Sequence, residues 1–113
     1  MATPTVPGRV LIVDDDPDIR ESLAGALDPT RYVLLSAADG ASAIELASGF
    51  SPEVILLDLG LPDVQGLELI PRFRELDEMT GVIVLTATSE IAVVVRAMRL
   101  GADNFLVKPV SLD

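Results

Sequence analysis

The chain has 113 residues, enough for one domain with a real core, and no cysteine, so disulfides and thiolate metal sites are excluded. Eighteen acidic residues against eight basic ones give a net charge of −10, which repels nucleic-acid backbones and anionic lipid surfaces alike and argues against a protein that touches DNA or a membrane itself. No run of about 18 apolar residues could span a bilayer, and the first residues lack the basic and apolar regions of a secretory signal, so a cytoplasmic location is expected.

Residues 1–8, with Pro4, Pro7 and Gly8 among small residues, read as a disordered leader, and order is expected from Arg9 onward, with 9–113 forming the domain. Val10 to Val13 is a first apolar strand that runs into Asp14, Asp15 and Asp16. Asp16 as N-cap and Pro17 at the first helical position open a helix with Ile19, Leu23, Ala26 and Leu27 on its apolar face, ended by Asp28 and Pro29. Tyr32 to Ala37 is a second strand. Ala41 to Ser48 is a second helix closed by Gly49, and Ser51 and Pro52 lead into a third strand, Val54 to Leu57, that stops at Asp58. Leu67, Ile70 and Phe73 recur at helical spacing, and Pro71 inside that helix predicts a kink or a late start. Val82 to Leu85 runs into Thr86. Ser89 is expected to cap a fourth helix that Gly101 stops, with Ile91, Val94, Val95 and Met98 toward the core and Ala92, Val93, Ala97 and Leu100 leaving its other side apolar too. Asn104 to Val107 is a fifth strand that runs into Lys108. Strands alternating with helices of these lengths predict an α/β domain: a doubly wound parallel sheet with right-handed crossovers and helices on both faces.

In such a sheet the carboxyl ends of the strands lie along one edge, so Asp14, Asp15, Asp58, Thr86 and Lys108 are expected to share one crevice. Crowded carboxylates repel unless a cation neutralises them, and magnesium suits an all-oxygen set of one or two carboxylates with a phosphate oxygen. One aspartate would suffice to cap a helix; three in a row exceed that need. At the end of a strand buried on both faces, Asp58 is a candidate nucleophile toward phosphorus. Thr86 can donate to a phosphoryl oxygen and Lys108 can supply it a compact positive charge.

These residues resemble the receiver (CheY-like) domain of bacterial two-component response regulators. The matching stretches are Leu11-Ile12-Val13-Asp14-Asp15-Asp16, Ile55-Leu56-Leu57-Asp58-Leu59-Gly60-Leu61-Pro62 with Gly66, Val84-Leu85-Thr86-Ala87, Gly101-Ala102 and Phe105-Leu106-Val107-Lys108-Pro109. The resemblance implies a flavodoxin-like strand order 2-1-3-4-5. It implies that Asp58 accepts a phosphoryl group from a sensor histidine kinase or a histidine phosphotransfer protein. It further implies that Asp14, Asp15, Asp58 and the carbonyl of Gly60 hold Mg2+, that Thr86 and Lys108 bind the phosphoryl group, and that Thr86 and Phe105 form the switch. The output domain of the parent protein would then read the surface of the fourth helix and fifth strand, and the site would be a switch and not a turnover enzyme.

Two other classes fit less well. Phosphohydrolases of the haloacid dehalogenase type carry Asp-x-Asp-x-Thr after the first strand, where this chain has Asp14-Asp15-Asp16-Pro17-Asp18. A nucleotide-binding module needs a glycine-rich turn there, the electrostatic opposite of four aspartates. Family members continue past Lys-Pro into a fifth helix, whereas Val110 to Asp113 are too few for one. The expectation is therefore a domain truncated before its last helix, an excised fragment whose bared first-helix face pairs with a second copy. A homodimer through that face or, alternatively, through the fourth helix and fifth strand is expected, with Val93 and its neighbours contacting a partner or a second receiver when Asp58 is phosphorylated. Gly60 and Thr88, two residues beyond Asp58 and Thr86, offer no carboxylate or amide to orient a water, which predicts slow loss of the phosphoryl group.

Overall fold

The computed structural model describes residues 7–87 and 91–108. Strands and helices alternate: β1 (Gly8–Val13), α1 (Pro17–Ala26), β2 (Tyr32–Ala37), α2 (Gly40–Phe50), β3 (Val54–Asp58), α3 (Gly66–Leu76), β4 (Gly81–Thr86), α4 (Ile91–Leu100) and β5 (Asn104–Val107). All strand pairs are parallel and the sheet order is β2-β1-β3-β4-β5, the order implied by the resemblance.

The two-residue period of the strands divides the core into two layers. Leu11, Val13, Ile55, Leu57, Val82 and Val84 point to one face, where Ala43 and Ala47 of α2, Leu69, Ile70 and Phe73 of α3 and Ala97 of α4 cover them. Val10, Ile12, Leu56 and Leu85 point to the other face, where Leu23 of α1 joins them. Among the described residues α1 is the only helix on that second face, and beside it runs an apolar trough of about 230 Å³ lined by Leu23, Leu27, Leu56, Ile83 and Leu106, among others. No helix of the described residues is long and apolar enough to cross a membrane.

Local chemistry sets the element ends. Asp16 caps α1 by accepting the backbone N–H of Asp18, with Pro17 opening the helix as its fixed φ favours. Gly101, at φ +115, stops α4 in a backbone conformation that side chains resist. The Arg74 guanidinium ties the end of α4 to α3 and β4: it donates to the carbonyls of Gly101 and Thr80 and pairs with Asp103, which in turn accepts the N–H of Val82.

Several expectations need correction. β1 begins at Gly8, whose N–H donates to the Arg31 carbonyl, so Gly8 belongs to the sheet; residues 1–6 of the leader lie outside the described residues, as do Thr88, the expected cap Ser89, and Val110 to Asp113. α2 runs from Gly40 through Gly49 to Phe50, and the left-handed residue that ends it is Ser51 at φ 51, not a glycine. Pro52 follows and cannot continue the helix, so the chain turns at Ser51 despite a cost of about 1–2 kcal/mol for that conformation. α3 starts at Gly66 without delay, and Pro71 simply leaves the Leu67 carbonyl without its helical N–H. Ala26 is exposed, while Ile19 and Leu23 of α1 and its C-cap Leu27 pack on that face of the sheet.

α4 is also turned differently from what its spacing predicts. Ala97 is buried and Leu100 packs on the core, while Ile91, Val95 and Met98, expected inside, face solvent at 79%, 39% and 41% exposure. Arg96 and Arg99 lie exposed as well, and Ala97 joins the buried cluster that holds Val82 and Val84 of β4 and Phe73 of α3.

Candidate functional site

Parallel register carries the polar strand ends to one edge. Asp58 pairs with Leu85 and Thr86 with Val107, so β3, β4 and β5 end almost level, and Asp14 leaves β1 beside them. Asp14, Asp58 and Thr86 are buried, Asp15 and Gly60 are exposed, and Lys108 is partly buried. Asp58, Gly60, Thr86, Lys108 and Val93 help to line one crevice of about 510 Å³, and Asp14 and Asp15 cluster with Asp58.

Each group is held by its own backbone surroundings. Asp14 is wholly buried: its N–H donates to the Ala37 carbonyl, its Oδ1 accepts the N–H of Asp16 at 3.0 Å, and its carbonyl accepts Arg20 Nη1 at 2.7 Å. Lys108 is drawn in by its N–H, which donates to the Thr86 carbonyl at 2.8 Å, and its ammonium stands 2.9 Å from both Asp58 Oδ1 and Asp14 Oδ2. Burial alone would lower the Lys108 pKa, but the carboxylates of Asp58 and Asp14 beside it outweigh that, and the net shift is upward. Phe105 lies partly buried on β5 against the three-helix face, paired in register with Val84.

The acids fit a hard divalent cation. One carboxylate oxygen from each of Asp14, Asp15 and Asp58 can be chosen so that all three lie within 4.8 Å of one another. The ammonium is close to Asp14 Oδ2 but poorly aligned, so that buried oxygen accepts no hydrogen bond from the described residues. A buried carboxylate oxygen without an aligned donor is costly, and an all-oxygen donor set suits magnesium or calcium and not a soft metal. Gly60 stands beside the cluster, where a side chain would begin 3.8 Å from Asp58 Oδ2.

Three neighbours of the site escaped sequence reasoning. Arg20 reaches back six residues to the Asp14 carbonyl, and its only sequence signal is a cation at helical spacing from the acidic run. Val93, expected on an outer contact surface, instead borders the crevice. Asp63, a turn residue next to Pro62, accepts backbone N–H groups from Gly40 and Ala41 of α2, and nothing local in the sequence marks that pairing.

Comparison with known proteins agrees with this architecture. The family model described as Response regulator receiver domain matches residues 10–113. Among curated proteins the chain is 36% identical over 110 residues to the Regulator of RpoS of Escherichia coli K12, covering 97% of this chain and 33% of that protein. It is 35% identical over 108 residues to the response regulator MprA of Mycobacterium sp. strain KMS, covering 96% of this chain and 47% of that protein. The chain therefore spans a third to about half the length of these relatives. A CheY-like response regulator receiver domain from Methanospirillum hungatei superposes with a TM-score of 0.88 at 29% identity, covering 94% of this chain and 85% of that one. A Burkholderia pseudomallei response regulator, solved with a phosphorylated aspartic acid, a calcium ion and citrate, superposes at 0.87 with 33% identity over 93% of this chain and 62% of that one.

Proposed function

As a member of the response regulator receiver domain family, this chain, we propose, takes a phosphoryl group onto Asp58 from the histidine of a sensor kinase or a histidine phosphotransfer protein, in a Mg2+-dependent reaction. The observation that carries this reading is the cluster of Asp14 and Asp15 with Asp58, where Asp58, Thr86 and Lys108 line a strand-end crevice and Lys108 Nζ stands 2.9 Å from Asp58 Oδ1.

An Asp58 carboxylate oxygen attacks phosphorus; the new P–O bond forms as the P–N bond breaks, and the imidazole departs. Asp14, Asp15, Asp58 and the Gly60 carbonyl are the groups that would hold Mg2+. When bound, the cation neutralises charge on the transferring group. Lys108 shifts from bridging two carboxylates to pairing with the phosphoryl oxygens, and the Thr86 hydroxyl donates to another of them. Water later attacks phosphorus, inorganic phosphate leaves and the Asp58 carboxylate is restored. Thr86, drawn toward the modified residue, vacates space into which the Phe105 ring turns, biasing the α4 and β5 surface. The site works as a switch read by an output domain, in the cytoplasm, where its kinase presents the phosphohistidine.

Incubation with Mg2+ and acetyl phosphate tests the reading. The expected product carries one phosphoryl group per chain, is labile to hydroxylamine, is lost with Asp58→Asn, and is not formed in EDTA. Many equivalents of phosphate released per chain within minutes, or labelling that survives Asp58→Asn, would overturn it.

A further inference from the structure

The loop that follows β3 is fixed at its base and at its tip. At the base Gly60 and Gln65 form an antiparallel bridge, and Gly66 N–H donates to the Leu59 carbonyl at 3.0 Å. At the tip the Asp63 carboxylate reaches another element altogether: Oδ1 accepts the N–H of Gly40 at 2.8 Å and Oδ2 the N–H of Ala41 at 3.1 Å. These are the first two backbone donors of α2, in a helix that already has its own cap, since Asp39 accepts the Ser42 N–H at 2.8 Å. Val64 seals the contact. A Cβ on Gly40 would stand 2.5 Å from Val64 Cγ2, so glycine there is what allows the loop to lie this close.

The arrangement exceeds what helix capping requires. Two acids satisfy three N–H groups at the positive end of the α2 dipole, and one of them is borrowed from the loop that carries Gly60. The Gly40 N–H, with that of Ala41, holds the Asp63 carboxyl below its ordinary pKa despite the opposing effect of burial, which keeps the latch charged at neutral pH.

We infer that Asp63 is a positioning residue for the cation site: by latching the β3–α3 loop to the N-terminus of α2, it holds the Gly60 backbone in place before a cation arrives. The inference rests on the reading of Asp14, Asp15, Asp58 and Gly60 as the Mg2+ site. A purely structural role would act through α2 alone, and removing either cap would then have the same effect. A positioning role separates the two, because the Asp39 carboxylate accepts an N–H of its own helix whereas the Asp63 carboxylate joins that helix to the loop.

Amide-resolved NMR titration with MgCl2 of the parent, Asp63→Ala, Asp63→Asn and Asp39→Ala makes the distinction. Asp63→Ala is expected to weaken Mg2+ binding about tenfold, as loss of an outer support of a metal ligand typically does. It should also shift the Gly60 and Gly66 amide signals in the metal-free protein. Asp63→Asn keeps one acceptor oxygen and should lose less, and it carries the test if the alanine variant does not fold. Asp39→Ala should leave both readouts near the parent's. Parental affinity in both Asp63 variants, or an equal loss in Asp39→Ala, would overturn the latch while leaving the proposed site intact. A parent that shows no Mg2+ response would instead overturn the site reading, and the latch with it.

Discussion

The ammonium of Lys108 is bonded to Asp58 Oδ1 at 2.9 Å, joining the end of β5 to the end of β3 across fifty residues of sequence. The same nitrogen stands 2.9 Å from Asp14 Oδ2, so one cation serves two buried carboxylates. Lys108→Met would leave both without it, and partial solvent access keeps the expected loss of stability near 2 kcal/mol, below the figure for a fully buried pair. Urea denaturation checks this. Added Mg2+ should stabilise Lys108→Met more than the parent, because the competing ammonium is gone. The raised Lys108 pKa gives the pH dependence its sign: the contribution is fully present below the ordinary lysine value of 10.5 and is lost as pH rises through the higher folded value. Parent and variant should therefore converge only in strong alkali.

Gly66 opens α3 against the backbone of the strand end. A Cβ there would stand 2.5 Å from Leu59 Cα and 2.6 Å from the Asp58 carbonyl oxygen, both main-chain atoms that cannot swing aside. Gly66→Ala is expected to cost about 3 kcal/mol, through displacement of the segment that carries Asp58. Gly25, in α1, meets nothing within 4 Å, so Gly25→Ala should stabilise by about 0.5 kcal/mol. Thermal denaturation of the two variants side by side should show opposite shifts.

Ile91, Val95 and Met98 form an exposed apolar row on α4, with Val107 exposed on β5. Rows of this kind commonly mark contacts. Val95→Glu is expected to leave phosphorylation by acetyl phosphate unchanged and to abolish any self-association that phosphorylation drives. Val93→Glu should instead disturb phosphorylation itself, because Val93 borders the crevice. Sedimentation of the phosphorylated proteins reads the first effect and labelling rate the second.

Gly60 is exposed and has room for a side chain, with only Asp58 Oδ2 near at 3.8 Å. An amide at that position could align the water that attacks the aspartyl phosphate. Gly60→Asn is expected to speed loss of the phosphoryl group by roughly tenfold, equivalent to about 1.4 kcal/mol of barrier. The decay of acid-labile phosphate after removal of the donor measures it, and unchanged decay would mean that water alignment at this position does not limit the reaction.

The chemistry at the strand ends was legible in the sequence because each polar residue directly follows an apolar strand, and parallel topology sends all such ends to one edge. Asp14, Asp58, Thr86 and Lys108 needed only that rule to be placed together. The strands themselves were equally plain as apolar runs, although β1, β3 and β4 extend one or two residues beyond them. What the sequence left open depends on contacts between distant segments. The facing of α4 was settled by packing: Ala97 joins the core while Ile91, Val95 and Met98 stay exposed. The end of α2 at Ser51 and the capture of Gly40 and Ala41 by Asp63 are likewise tertiary. A cap borrowed across more than twenty residues leaves no local pattern. Periodicity and strand-end chemistry are properties of neighbours along the chain, whereas helix rotation and borrowed caps are decided only when separate elements compete for the same space and the same donors.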